Sequence, residues 1–340
     1  MKNRNLIISV FLTILFLSHS MYGNQLAIAT SKQLIIWDTQ KNWDQKKVID
    51  TTGPTSIAFS SDGKLLAEGA GDKLIIWDTD NWNQKKVINT VSPIRSVACS
   101  PNGKLLAAVN ENDTVIIWDT NEFKQKKLLY LGSASTWPAA ITFSPNGKLL
   151  ATCSYNKIIL WDTDNWNKKK TLEAGLLDVR TMAFSPDGEL LAAGSYDKQI
   201  VWGTKNWKIK QNVATKTTSS VAFSPDGKLL ATDLNRQKIA IWDTNKWNKK
   251  AILDTKIERN SRITSIAFSS DGENLAAGTF DKKLILWGTK KWKLTKTLDT
   301  EAWVKVIAWK PMIMGTVERR GKKMKEASRF ADIKIKLSEE

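Results

Sequence analysis

The sequence predicts an all-β fold, a seven-bladed β-propeller closed by pairing its C-terminal strand with its N-terminal blade. Three observations predict it. An apolar run that ends in Trp occurs seven times, at intervals of 40 to 45 residues. Asp-Gly or Asn-Gly turns recur between these runs, and the repeat array begins and ends in mid-unit. A period of about 40–45 residues is typical of four short strands in one propeller blade.

Each unit is read as four strands. In one unit the first strand is "TSIAFS" (55–60), the second is "KLLAEGA", the third is "KLIIWDT" and the fourth is "QKKVIN". Asp62 and Gly63 supply the tight turn after the first strand, because Gly accepts a positive φ without steric cost. The third strands end at seven tryptophans: Trp37, Trp77, Trp118, Trp161, Trp202, Trp242 and Trp287.

The two ends of the array are complementary half-units. Residues 25–30 match a second strand with no first strand before it, and residues 304–310 match a first strand with no partner after it. First strands and Trp-ending strands each number seven when counted separately. Pairing the two half-units closes a ring, which removes exposed sheet edges. We therefore predict one propeller domain over residues 24–311.

The repeat resembles the WD-repeat family over roughly residues 24–311, most clearly in "AFSPDGELLAAGSYDKQIVWG" (183–203). Members of that family commonly hold a His, a Ser or Thr, an Asp and the Trp in one buried hydrogen-bonded network. The last three places are occupied here by Ser195, Asp197 and Trp202, and in another repeat by Thr279, Asp281 and Trp287. No repeat supplies the His, so the resemblance implies a truncated network and rigidity that comes from packing.

The N-terminus has the pattern of a secretory signal peptide. Lys2 and Arg4 precede an apolar run at residues 6–17, and small and polar residues follow at 18–23. A bilayer-spanning helix needs about 20 apolar residues, so this run favours a cleaved signal over a retained anchor. We predict a signal peptide at residues 1–23, cut after Ser20 or Gly23, and export to the periplasm or the medium.

Net charge is +17, and the lysines are concentrated in the fourth strands. They are Lys46, Lys47, Lys85, Lys86, Lys126, Lys127, Lys168 to Lys170, Lys208, Lys210, Lys249, Lys250, Lys293 and Lys296. On an outer edge strand, lysines block edge-to-edge pairing and aid solubility. The same belt also suits an acidic surface or polyanion, such as anionic lipid, envelope polymer or nucleic acid. Both interpretations stay open.

A second aromatic series follows the third strands: Trp43, Trp82, Phe123, Trp166, Trp207, Trp247 and Trp292. One interpretation is a ring of binding platforms for sugars or bases. The other is packing on the neighbouring blade, which the regular occurrence in every unit favours.

Partner-binding residues are expected on one face, where the links between units vary. The candidates are Trp137, Tyr155, Arg180, Tyr196, Arg236, Arg262, Phe280 and Trp303. The longest link, residues 254–262, belongs to this face. Variable loops on a rigid scaffold are common sites of recognition. We therefore expect an unidentified protein partner and a monomeric propeller.

Catalysis is not predicted. The only histidine, His19, lies in the predicted signal, so His-based proton transfer and His metal sites are unavailable to the mature chain. No nucleophile elbow or phosphate loop occurs, and the carboxylates that follow the third-strand tryptophans repeat with the fold. Of two cysteines, Cys99 replaces a repeated Phe, which favours a core thiol over a disulfide with Cys153. We expect no catalytic residue, metal, cofactor or small-molecule substrate.

The C-terminal segment, residues 312–340, departs from the repeat and is basic. Its pattern fits either a helix or a strand, and either a loose end or a docking segment. Taken together, the sequence predicts an exported, non-enzymatic scaffold that binds protein through one propeller face. A binder of acidic surfaces or polyanions is the first alternative, and a propeller hydrolase is the second.

Overall fold

The computed structural model describes residues 25–39, 43–132, 140–154, 156–173, 175, 179–195, 197–215 and 220–312. Within these ranges the chain forms seven antiparallel sheets of four strands each. The predicted all-β propeller is therefore confirmed. The predicted signal peptide and the segment from residue 313 lie outside the described residues. In the described part, no helix has the length and apolarity needed to cross a membrane.

We number the blades by their first strands along the chain. The first three strands, which belong to blade 7, are β1 (Gln25–Thr30), β2 (Gln33–Asp38) and β3 (Asp44–Asp50). Blade 1 contains β4 (Ser56–Phe59), β5 (Leu65–Ala70), β6 (Lys73–Asp78) and β7 (Gln84–Asn89). Blade 2 contains β8 (Ile94–Cys99), β9 (Leu105–Asn110), β10 (Thr114–Asp119) and β11 (Gln125–Tyr130). Blade 3 contains β12 (Ile141–Phe143), β13 (Leu149–Ser154), β14 (Lys157–Asp162) and β15 (Lys168–Glu173).

The remaining blades follow the same order. Blade 4 contains β16 (Thr181–Phe184), β17 (Leu190–Gly194), β18 (Lys198–Gly203) and β19 (Ile209–Ala214). Blade 5 contains β20 (Val221–Phe223), β21 (Leu229–Asp233), β22 (Lys238–Asp243) and β23 (Lys249–Asp254). Blade 6 contains β24 (Ile263–Phe268), β25 (Asn274–Thr279), β26 (Lys283–Gly288) and β27 (Lys293–Asp299), and β28 (Val304–Trp309) completes blade 7.

The ring closes at blade 7, where β28 pairs antiparallel with β1 and places Ile307 opposite Ile28. The N–H of Lys310 donates to the carbonyl of Gln25 across the same seam, at 2.9 Å. The first strands of neighbouring blades contact one another all the way round. These strands therefore surround the axis, and the lysine-bearing fourth strands form the rim.

The core consists of seven apolar clusters, one at each interface between neighbouring blades. Each cluster includes one aromatic of the second series; Trp82, for example, is 3% exposed and packs between blades 7 and 1. All seven of these aromatics have positive φ, from 52° to 64°. A bulky residue seldom adopts this conformation, and interface packing compensates for its strain. The packing interpretation of this series is confirmed.

The two flat surfaces differ in their connections. We call the surface with the first-to-second and third-to-fourth strand turns the hairpin face, and the opposite surface the link face. On the hairpin face, Ser60 accepts the N–H of Leu65 at 2.9 Å and donates to Asp62 at 2.6 Å. Ser100, Ser144, Ser185, Ser224 and Ser269 repeat this arrangement. This face is therefore built from one repeated turn.

The cysteines serve the core. No disulfide joins Cys99 and Cys153. Burial raises the pKa of the Cys99 thiol to about 12, with a smaller contribution from the negative charge of Asp62. A thiol with so high a pKa stays protonated and unreactive at neutral pH, as a small core residue would.

Candidate binding face

The structure places five of the predicted partner-binding residues on the link face. They stand beside the starts of first strands or in the turns after second strands: Arg180, Arg236, Arg262, Phe280 and Trp303. The other three candidates, Trp137, Tyr155 and Tyr196, lie outside the described residues.

Three of the five form one continuous stack at the junction of blades 6 and 7. The guanidinium carbon of Arg262 lies 4.8 Å from the centre of the Phe280 ring. The Phe280 and Trp303 rings lie 5.2 Å apart and are inclined by 50°. Beyond them, the Lys305 ammonium lies 5.3 Å from the centre of the Trp303 ring. We call these four side chains the cation–aromatic ladder.

Backbone hydrogen bonds fix the positions from which the ladder side chains project. The N–H of Phe280 donates to the carbonyl of Arg262 at 2.9 Å. The carbonyl of Trp303 accepts the N–H of Ser31 at 3.2 Å, which ties it to the turn after β1. The ladder is therefore carried by the propeller framework rather than by a loose loop.

The exposure of the ladder varies along its length. Arg262 is exposed, the Phe280 side chain is 44% exposed, and Trp303 is half-buried. Cations stacked on aromatic faces gain electrostatic attraction from the ring quadrupole. The arrangement thus presents an accessible aromatic surface with a positive charge at each end.

Lys305 is the most enclosed charge of the ladder. Burial lowers the pKa of its ammonium, and the positive charge of Arg95 lowers it further. Its hydrogen-bond acceptor is the carbonyl of Gly53, at the long distance of 3.4 Å. Arg95 stands on the first strand of blade 2 and pairs with Glu111 at 2.6 Å. Positive charges from blades 7 and 2 therefore approach each other near the inner strands, across the first strand of blade 1.

In the turn that carries Phe280, Ser261 takes the place of the histidine that the network of the WD-repeat family commonly contains. Ser261, in the link before the first strand, donates to the Asp281 carboxylate at 2.7 Å. Burial raises the pKa of Asp281, but hydrogen bonds from Thr279, Ser261 and the Glu258 backbone outweigh it and lower the pKa overall. The network implied by the family resemblance is thus less truncated in blade 6 than the sequence suggested.

The stack does not gather every candidate. The N–H of Arg180 donates to the carbonyl of Gly194 within blade 4, away from the ladder. Arg236, by contrast, lies next to the ladder, because the Arg236 carbonyl accepts the N–H of Ile263 at 2.7 Å and Ile263 directly follows Arg262. Sequence reasoning missed Lys305, Arg95 and Glu111. A sequence signal for Lys305 and Arg95 was available, because alignment of the first strands places Arg95, Arg180 and Lys305 at one repeat position.

Cavities and metal-ligand clusters offer little else in the described ranges. No three His, Cys, Asp or Glu side chains are grouped there so as to hold a metal ion. A cavity of about 180 Å³ opens on the hairpin face between blades 6 and 7, lined partly by Trp43, Trp309, Asp271 and Glu273. A second, of about 480 Å³, lies between blades 4 and 5 beside Ala214 and Leu234.

Comparison with known families agrees with the architecture. The family model described as "WD domain, G-beta repeat" matches four stretches, residues 84–119, 127–162, 166–202 and 252–288. Each match runs from the fourth strand of one blade to the third strand of the next. No curated protein matches the chain significantly.

Proposed function

From the premise that this chain belongs to the WD-repeat β-propeller family, whose members are commonly protein-interaction scaffolds, we propose that it binds a protein partner through its link face. The contact is centred on the cation–aromatic ladder at blades 6 and 7. The protein holds this partner without catalysing a reaction on it.

The observation that carries the proposal is the placement of aromatic side chains. The repeated aromatics are packed at blade interfaces, with Trp82 only 3% exposed, whereas Phe280 is 44% exposed and stacks between Arg262 and Trp303. Exposing an aromatic and an arginine together gives no benefit to the core. Aromatic residues and Arg are enriched in protein interfaces and among the residues that contribute most to binding.

The proposal includes export. The signal-like residues 1–23 support secretion into the periplasm or the medium, with the propeller as the mature unit. Determining the N-terminal sequence of the protein recovered outside the cytoplasm tests this part. We expect the mature chain to start after Ser20 or Gly23. A chain that retains Met1 would contradict it.

Partner capture tests the binding face. One variant carries Arg262→Ser, Phe280→Ser and Trp303→Ser; the matched rim variant carries Lys85→Ser, Lys86→Ser and Val87→Ser on the exposed strand β7. Both are crosslinked in cells and purified at low and high salt. We expect the link-face variant to lose the partner recovered with the wild-type protein, and the rim variant to retain it. Retention by the link-face variant would refute the assignment.

A second candidate function is binding of an acidic surface or polyanion by the rim. It is favoured by the uneven distribution of charge among the fourth strands. β7 and β11 each carry two lysines and no acid, and β15 carries three lysines and one acid, whereas β3 carries two lysines and two acids. Blades 1 to 3 thus form a positive arc. Some rim lysines have local roles, since Lys169 and Lys250 pair with Asp162 and Asp243 at 3.4 and 3.3 Å.

Salt dependence separates the two candidates. Binding to immobilised polyphosphate through the arc should weaken steeply with salt, because it releases counterions. The rim variant should then lose that binding and the link-face variant should keep it. Absence of binding to polyphosphate at low salt would exclude the second candidate and leave solubility as the role of the lysines.

A further inference from the structure

We propose that the cation–aromatic ladder recognises an extended acidic peptide segment of the partner, with one carboxylate at Lys305 and another at Arg262. This inference rests on the proposed function and specifies the chemistry of its partner. It follows from the charge balance of the ladder, from its dimensions and from the character of the surface between its two cations.

The charge balance of the ladder is incomplete. Among the described residues, neither Lys305 nor Arg262 has a carboxylate within ion-pair distance. Lys305 has instead a carbonyl at 3.4 Å, the Trp303 ring and the positive charge of Arg95. A half-buried ammonium is costly without a strong acceptor, and an incoming carboxylate supplies a charge-assisted hydrogen bond.

The acid closest in sequence to Phe280 does not neutralise Arg262. Asp281 accepts from the Ser261 hydroxyl at 2.7 Å and from the N–H of Glu258 at 3.3 Å. Its carboxylate is thereby engaged in holding the turn. Arg95, by contrast, has its own acid, Glu111, at 2.6 Å. The framework therefore pairs one cation of this region internally and leaves the two ladder cations available to a ligand.

The dimensions of the ladder suit a short extended segment. Its three steps of 4.8, 5.2 and 5.3 Å keep the two cations within about five residues of a chain rising about 3.3 Å per residue. Between them, the Phe280 and Trp303 rings form an apolar floor for the intervening side chains. A peptide with two acids one to four residues apart and an apolar residue between them fits this pattern.

The aromatic floor favours a peptide over a phosphate polymer. A polyanion offers closely repeated charges and few apolar atoms, which matches the lysine arc on the rim better than two cations separated by two rings. An acidic peptide offers both features the ladder presents. Nucleic-acid-like or phosphate-rich ligands are therefore an alternative outcome of the test.

The test measures binding of labelled peptides to the full chain by fluorescence anisotropy. The set contains ten-residue peptides with two Asp or Glu spaced two to five positions apart, so that a Leu or Phe always lies between them. Each is matched by a peptide with Asn or Gln in place of the acids. We expect at least one spacing to bind about ten- to hundredfold more tightly than its amide counterpart, the effect of hydrogen bonds between charged groups.

Matched variants locate the effect. Lys305→Met and Arg262→Met keep an unbranched apolar stem but remove the charge, and each should reduce the preference for the acidic peptide about tenfold or more. Lys305→Arg should retain the preference. Lys86→Met, on the exposed rim strand, should leave it unchanged. Far-UV circular dichroism of all four variants establishes that the propeller is intact.

The inference fails if acidic and amide peptides bind equally, if none binds, or if Lys86→Met removes the preference and Lys305→Met does not. Stronger competition by polyphosphate than by the acidic peptide at the ladder would also overturn it. These failures differ from failure of the proposed function. If the peptides show no preference while partner capture still requires the link face, the face assignment stands and the acidic chemistry is wrong.

Discussion

The hairpin face and the link face are built from the same seven repeats but in opposite ways. On the hairpin face, the Ser60 and Asp62 arrangement recurs in five further turns with nearly equal distances. On the link face, the stack of Phe280 and Trp303 occurs at the junction of blades 6 and 7. Repetition serves closure and stability, while the departure from it exposes aromatic and charged groups to solvent.

This contrast separates the aromatic residues by role. A tryptophan at a blade interface adds buried area and occupies an equivalent place in its unit; Trp43, Trp82 and Trp292 each meet an aromatic ring of a first strand edge-on. Trp303 is half-buried, and its neighbours include Phe280 and the cation Lys305. Stability and binding should therefore respond to different substitutions.

Replacing an interface aromatic should have the largest effect on stability. Trp82→Ala removes a nearly buried ring between blades 7 and 1 and should lower the free energy of unfolding by about 3–5 kcal/mol. Trp82→Gly should be no worse than Trp82→Ala, because φ at this position is +59° and Gly tolerates it. Urea unfolding measures both. If Trp82→Ala costs no more than Trp303→Ala, the contrast between the faces is wrong.

Adding a methyl group within the seam of blades 6 and 7 should have the next largest effect. A Cβ on Gly278 would lie 2.8 Å from Val304 Cβ, so Gly278→Ala should destabilise by about 1–3 kcal/mol. Gly288→Ala is the control, since its nearest neighbour would be Thr295 Cγ2 at 3.5 Å. Val304→Ala should partly rescue Gly278→Ala. Thermal unfolding that is equal for the two Gly variants would contradict the packing.

A buried carboxylate in blade 1 should make stability depend on pH. Burial raises the pKa of Glu68, against the hydrogen bond from the Trp77 indole N–H at 2.6 Å. A raised pKa means that the folded state holds its proton more tightly than the unfolded state. The stabilisation is complete below the ordinary carboxyl range and is lost as pH rises through the raised pKa.

Glu68→Gln keeps an acceptor for Trp77 and removes the titration. Its free energy of unfolding relative to wild type should increase with pH above the ordinary carboxyl range, by at most about 1.4 kcal/mol per pH unit. Urea unfolding at several pH values measures the difference. A difference that stays flat with pH would show that Glu68 binds its proton no more tightly when folded.

Ladder substitutions should have the smallest effect on stability. Phe280→Ala and Arg262→Met remove exposed groups and should each change the free energy of unfolding by less than about 1 kcal/mol. They should nevertheless weaken partner binding. A large loss of stability with unchanged binding would show that the ladder stabilises the fold and does not bind the partner.

The fold could be predicted because its evidence is local and repeated. Each unit ends a strand in Trp and turns at Asp-Gly or Asn-Gly, and β1 and β28 are recognisable as halves of one unit. The positive φ of Trp82 could not be predicted, because local sterics disfavour it. Packing of the ring against the neighbouring blade compensates for the strain. Each blade interface is formed by residues of two neighbouring repeats, so the sequence of a single repeat does not determine it.

The candidate site was predictable only in parts. Arg262, Phe280 and Trp303 stand out one by one as unrepeated residues in links, but their stacking joins positions that are far apart in the chain. Lys305 lies within a strand, where a lysine at an alternating position resembles an ordinary solvated residue. Its burial and its proximity to Arg95 depend on the curvature of the whole ring.

Site-specific photocrosslinking in the producing cells tests the central claim most directly. A photoreactive amino acid is placed at Phe280 on the link face or at Val87 on the rim, whose side chains are 44% and 40% exposed. We expect one discrete protein adduct from position 280, lost when Arg262 and Lys305 are also changed to Met, and none from position 87. An adduct from position 87 alone would contradict binding through the link face.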